Sequence, residues 1–161
     1  NTAISELDVE IVDSAHLSRD AFWDFRELHY KVAGRRTRSK ESWELQIKAI
    51  ESGKCFLVNA SYEGELVGGG LFSHSSHFAE YWVAAYRKDM EKLPYIGHGI
   101  VGSAMRYLHE KRIRLLFLGE RHYPGDVWWP FGHPHDDRWL SISDFKAGFS
   151  TRYAFVFFHK I

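Results

Sequence analysis

Two glycines flank a histidine at Gly97, His98 and Gly99, just ahead of an apolar run that starts at Ile100. At the start of a helix such residues leave backbone N–H groups unpaired at the positive end of the helix dipole, a place suited to a phosphate or pyrophosphate. The same residues serve as plain turn formers. Arg35, Arg36 and Arg38 crowd a short segment. They could clamp a carboxylate or an acidic acceptor through planar two-pronged contacts, or simply stay solvated. Gly68, Gly69 and Gly70 interrupt an apolar, β-prone stretch, which costs backbone entropy and implies a bulge, tight packing, or close approach of a ligand or another backbone. His133, His135, Asp136 and Asp137 have the ligand types of a metal site, with His74 and His77 as conceivable partners, and would suit a metal-dependent hydrolase. Pro134 denies the pair regular geometry and the spacing matches no zinc motif, so no metal is expected.

These groups must be held by regular elements, and the pattern of apolar residues supplies them. Residues 8–12 alternate as a short strand. Ser18 can cap a helix whose apolar positions are Phe22, Phe25, Leu28 and Val32, stopped by Gly34. A second helix, with Trp43, Ile47 and Ile50 on one face, runs to Gly53. Residues 54–60 and 65–73, joined by a turn containing Glu63 and Gly64, form an antiparallel hairpin, and a third strand follows at 78–85. The helix after Gly97 presents Ile100, Val101, Ala104, Met105 and Leu108, and residues 113–118 are a continuous apolar run, as a buried strand would be. A helical crossover of that length returns the chain parallel, so strands 78–85 and 113–118 should run parallel and separate at one end. A long irregular segment, 119–140, a short helix around 142–147 and a last strand at 152–159 complete the order. The fold class is α+β, a mixed sheet flanked by helices.

Composition narrows what such a molecule can be. The chain has 161 residues, 45% of them apolar, 16% aromatic and 26% charged, which is one domain's worth of globular core and excludes disorder. Twenty-one basic residues balance twenty-one acidic ones, so no net field draws it to nucleic acid or anionic lipid. Cys55 is the single cysteine, which excludes an internal disulfide and fits a reducing, cytoplasmic compartment. No apolar run approaches the roughly 18–20 residues needed to span a bilayer. The chain begins at Asn1 with no methionine, which suggests a piece of a longer protein.

The segment Phe145, Lys146, Ala147, Gly148, Phe149, just before the last strand, resembles the signature of the FemABX-like aminoacyl and acyl transferases, which have the GNAT (N-acetyltransferase-type) fold. The resemblance extends through 34–43 (GRRTRSKESW), 65–72 (ELVGGGLF) and 115–121 (LLFLGER), and the element order read above is also the GNAT order. It implies one domain over 1–161 that moves an activated acyl or aminoacyl group, from acyl-CoA or aminoacyl-tRNA, to an amine acceptor. In GNAT enzymes the acyl thioester lies across a splay between two parallel strands and the following helix offers its N-terminal amides to the pyrophosphate. Here those amides belong to Gly97, His98, Gly99 and Ile100. For a FemABX-like member the acceptor is a cell-wall peptide precursor, hence bacterial cell-envelope biosynthesis, although the zero net charge lends a tRNA donor no support. Attack of an amine on a thioester needs a base and an oxyanion donor. Glu120 is the base or acceptor-orienting group, with His74, His98 and Tyr86 as rivals; Lys146 supplies positive charge near the carbonyl or the donor phosphates, while Arg36, Arg38 and Phe145 meet substrate. The alternative is a catalytically inert member of the fold that binds a ligand or partner.

Overall fold

The computed structural model describes residues 6–90, 93, 95–119 and 137–149, and all statements below concern these. Glu120, the histidine pair at 133 and 135, and the expected strand at 152–159 lie outside them. Two compact units divide the chain, Asn1–Phe117 and Leu118–Ile161, and each is taken by itself.

In the first unit the order is β1 (Asp8–Val12), α1 (Arg19–Ala33), α2 (Lys40–Glu51), β2 (Cys55–Tyr62), β3 (Glu65–His74), β4 (Phe78–Tyr86), α3 (Ile96–Glu110) and β5 (Leu115–Phe117); the second unit holds α4 (Asp137–Ala147). The strands form one sheet in the order β1-β2-β3-β4-β5. Neighbours are antiparallel except β4 and β5, which are parallel. The β2–β3 turn is two residues long, and both, Glu63 and Gly64, have positive φ (51° and 80°). This backbone matches the right-handed twist of the flanking strands.

Helices cover both faces. Alternation along β2 sends Cys55 and Leu57 to one side and Phe56, Val58 and Ala60 to the other. On the first side α1 and α2 bury Phe22, Phe25, Trp43 and Ile47; on the second α3 buries Ile96, Ile100, Ala104 and Leu108, spaced one helical turn apart. The triple glycine exists for these helices. A side chain at Gly70 would come within 2.8 Å of Ile100 and 2.9 Å of Tyr81, one at Gly69 within 2.5 Å of Phe25, and one at Gly68 would strike Ile96. The bare backbone of β3 thus lets α3 and α1 dock on opposite faces at the same point. Asp13, buried at the end of β1, accepts hydrogen bonds from Tyr107 Oη (2.8 Å), His16 N–H (2.8 Å) and Ala15 N–H (3.0 Å), tying α3 to the sheet. Burial pushes its carboxyl up, but those bonds outweigh it and hold it below the ordinary value. Cys55 is a packing residue, its thiol pushed up to about 11 by burial.

Two elements differ from the sequence-based expectation. β5 covers three residues rather than 113–118, because the exit from α3 uses the preceding ones: Arg112 takes positive φ, and Ile113 N–H donates to Leu108 C=O. α4 begins at Asp137, five residues before the expected helix. No helix among the described residues is long and apolar enough to cross a membrane.

Candidate functional site

The site grows from the place where two parallel strands part. Pairing between β4 and β5 is confined to Phe78↔Leu115, Ala79↔Leu116 and Glu80↔Phe117, after which β5 ends while β4 continues to Tyr86. Residues 81–86 therefore run on with an outer edge that no described strand occupies. On the inner edge the register slips between Leu71↔Val83 and Phe72↔Tyr81, so Trp82 is an extra residue, a β-bulge. The slip changes which side chains face which way. Ala79 and Tyr81 lie on the α3 side, Val83 and Ala85 on the α1 side, and Tyr86 is back on the α3 side. Ala84, small and exposed, lies between the two tyrosines along the strand.

Helix α3 begins at the same end of the sheet. Its N-terminal residue Ile96 lies over Gly68, the register partner of Tyr86. Tyr95 at the N-cap provides no side-chain hydrogen bond, and the first turn carries no acidic residue. The N–H of Gly99 already donates to Tyr95 C=O (3.0 Å), and Ile100 is fully buried in the core. The first-turn amides ahead of that bond that have no intrahelical acceptor include those of Ile96 and Gly97, whereas the sequence points to residues 97–100. The His98 ring lies edge-on to Tyr95 at 5.7 Å.

The structure thus brings Tyr86 together with the start of α3. Burial raises the Tyr86 phenol, so it stays protonated at neutral pH. Tyr81 faces the same way, stacked on Phe72 (4.5 Å between centroids, 7° between planes), which stacks in turn on Phe56. Its hydroxyl oxygen is buried and has no hydrogen-bond partner among the described residues. Sequence motifs do not single out Tyr81 or the bulge; the only signal is the Tyr81-Trp82 pair, where two bulky residues break strict alternation. His74 is placed at the opposite end of β3, paired with Ala79, away from the gap.

The basic segment joins α1 to α2. Arg36 is exposed, whereas Arg38 is half-buried, its guanidinium 5.8 Å from the Trp43 ring and its carbonyl accepting from Tyr30 Oη (3.2 Å). Arg38 also helps hold His29 below the ordinary imidazole value, though burial is the larger cause. Asp89, just past the end of β4, has its carboxyl pulled to about 2, chiefly by the Arg87 guanidinium and in small part by Lys31 in the last turn of α1. In the second unit Lys146 and Phe145 fall in the last turn of α4. A side chain at Gly119 would come within 2.6 Å of Lys146 Nζ, and Phe145 packs edge-on against Phe149 at 5.4 Å. Among the described residues no three His, Cys, Asp or Glu side chains cluster as a metal site.

No family model and no curated protein matches this chain. Solved structures do. An aminoglycoside acetyltransferase from an uncultured soil metagenomic sample, in complex with sisomicin, superimposes with a TM-score of 0.68 at 15% identity, covering 98% of this chain and 97% of that one. The aminoglycoside acetyltransferase AAC(6')-Iy in complex with the bisubstrate analogue CoA-S-monomethyl-acetylneamine gives 0.63 at 12% identity over 96% and 98%. A ribosomal-protein-alanine N-acetyltransferase from Brucella melitensis biovar Abortus 2308 gives 0.58 at 12% identity over 96% and 99%. The fold is that of the GNAT N-acetyltransferases.

Proposed function

We propose that this chain is an N-acyltransferase that moves an acyl group from an acyl-CoA thioester to an amine. The observation that carries the reading is the meeting, at one end of the sheet, of a β4 edge that no described strand occupies with a start of α3 that has no side-chain cap. Amides at Ile96 and Gly97 suit the phosphates, and the end of β4–β5 pairing leaves room for an extended arm. The donor supplies an electrophilic carbonyl whose carbon–sulfur bond breaks as the amine nitrogen forms its bond. The amine proton passes to a base and the departing thiolate takes up a proton.

This chain's residues divide that work. Tyr86, protonated and beside the start of α3, is a proton or hydrogen-bond donor rather than a base. Glu120 takes the base role by resemblance to the family, and Lys146 supplies positive charge to the reacting carbonyl or the phosphates. Phe145 and Arg36 contact substrate, while Arg38 shapes the loop through Trp43. Three arginines without an acid among residues 34–39 favour an acceptor that carries a carboxylate or phosphate beside its amine, and disfavour polycations such as aminoglycosides. The FemABX-like variant, with an aminoacyl-tRNA donor and a cell-envelope acceptor, rests on residues 145–149 together with the three upstream segments of sequence resemblance.

Thermal shift with acetyl-CoA, free coenzyme A, an aminoacyl-tRNA analogue and zinc tests the donor. Acetyl-CoA and coenzyme A are expected to raise the melting temperature. A response to the tRNA analogue alone moves the reading to the FemABX-like variant, and silence toward every donor overturns it. Thiol release against a panel of acidic and basic amines tests turnover. Binding without release from any amine supports the inert alternative. Lys146→Met should leave the melting temperature in place and cut turnover roughly 10- to 1000-fold.

A further inference from the structure

We propose that His29 is an acid-sensitive latch on the arginine loop: with its imidazole neutral, Arg38 stays on the Trp43 ring, and when the imidazole takes up a proton, Arg38 leaves the ring for solvent. The inference concerns residues 34–39 and stands apart from the acyltransferase reading.

His29 and Arg38 share one ring. The His29 imidazole lies 5.3 Å from the Trp43 centroid with 72° between the planes, and the Arg38 guanidinium lies 5.8 Å from the same ring. Phe25 and Tyr30 close the imidazole in at 6.5 and 6.3 Å, and Thr37 Oγ1 lies 3.3 Å from its Nδ1. A neutral imidazole suits this place. A charged one would lose water on burial and would meet a second cation at the ring it already shares. Both effects act in one direction, and the imidazole is held below the ordinary 6.5 by burial first and by Arg38 second.

The other charges nearby are engaged elsewhere. On α1, Arg26 lies over Trp23 (4.6 Å) and Tyr30 and pairs with Glu27; on α2, which meets His29 through the uncharged Trp43, Lys40 pairs with Glu44 at 3.6 Å. Arg38 is therefore the group that answers the proton. The loop can release it without unravelling, because Gly34 at positive φ (67°) closes α1, Ser39 caps α2, and Tyr30 Oη holds the Arg38 carbonyl rather than its side chain. The Thr37 contact survives as well, since a hydroxyl accepts from a protonated nitrogen as readily as it donates to a bare one. Only the guanidinium moves. With water around the imidazole the open loop binds the proton more tightly than the closed one, so opening is favoured as pH falls below 6.5 and is insensitive to pH above it. Arg35 and Arg36 are exposed in the closed loop, and in acid Arg38 joins them as a third guanidinium offered to an anion.

The test is NMR on the whole chain between about pH 8 and about pH 5, following the His29 ring nitrogens and the Arg38 Hδ protons, which the Trp43 ring shifts upfield while the side chain lies on it. The Arg38 protons should move to the position of a solvated arginine with the same midpoint as His29, and their NOEs to the Trp43 ring should vanish. In His29→Phe they should keep the upfield position throughout. His29→Gln, neutral and able to bond Thr37, is read in the same way and replaces the phenylalanine should that variant fail to fold. An Arg38 that stays on Trp43 after His29 has titrated overturns the proposal, and so does one that leaves at the same pH in the variants. A His29 that remains neutral down to about pH 5 overturns it too. None of these outcomes touches the acyltransferase reading.

Discussion

Helices α1 and α2 begin in one way and α3 in another. Ser18 accepts from the Ala21 N–H and Ser39 from the Ser42 N–H, each at 3.2 Å, and each first turn carries its own acid, Asp20 or Glu41. Both helices therefore neutralise their positive ends from within. α3 starts at Tyr95 with neither device, and it starts where β4 has lost its neighbour. On one face helix starts are capped by side chains and carry an acid, and on the other the start of α3 has neither.

The strongest way to break this contrast is to push α3 off the sheet. Gly68→Val puts a branched side chain where Ile96 lies, and should cost about 3 kcal/mol by urea denaturation while abolishing donor binding. Tyr107→Phe acts on the same helix from its far end and should cost roughly 2 kcal/mol by removing the bond to the Asp13 carboxylate. Because the folded Asp13 titrates below its ordinary 3.8, its contribution is fully present above that pH and is lost as pH falls through the folded value. The gap between variant and wild type should therefore close in acid, and a gap independent of pH would assign the loss to packing. Ser39→Ala should cost about 1 kcal/mol with donor affinity unchanged. Tyr95→Asp does the reverse, giving α3 the charge that α1 and α2 already have. It should stabilise the fold by about 0.5 kcal/mol and weaken acetyl-CoA binding. Equal donor affinity in Tyr95→Asp would show that the helix start is not where the phosphates go. Smallest is Arg38→Gln, which should raise the His29 titration midpoint seen by NMR without bringing it to 6.5, since burial is the larger cause.

Most of the scaffold is legible in the sequence because its signals are local. Ser18, Gly34, Ser39 and the Glu63-Gly64 turn act through their own neighbours, and the α3 crossover dictates a parallel β5. The bulge at Trp82 is not legible there, since it depends on how β3 and β4 settle against two different helices, and a one-residue slip leaves composition untouched. The triple glycine stands out as costly, but its cause, helices docking on both sides of one strand, is a contact between residues far apart in sequence. Gly97 to Gly99 fall in the first turn of α3. Where intrahelical bonding starts follows from the first backbone hydrogen bond, Gly99 N–H to Tyr95 C=O, which no motif encodes. Tyr81 leaves no mark, because an unpaired hydroxyl is a property of surroundings rather than of a motif.

A bare strand edge is also a hazard, since its amides and carbonyls form a template on which another extended chain can add. Residues 81–86 present such an edge among the described residues. The bulge at Trp82 limits the danger. It interrupts the regular spacing of backbone groups one residue into the edge, and local twist turns the strand away from the plane an incoming neighbour would need. Beyond the bulge, residues 83–86 keep a regular register with β3. The irregularity at Trp82 thus makes this edge a poorer template for an added chain.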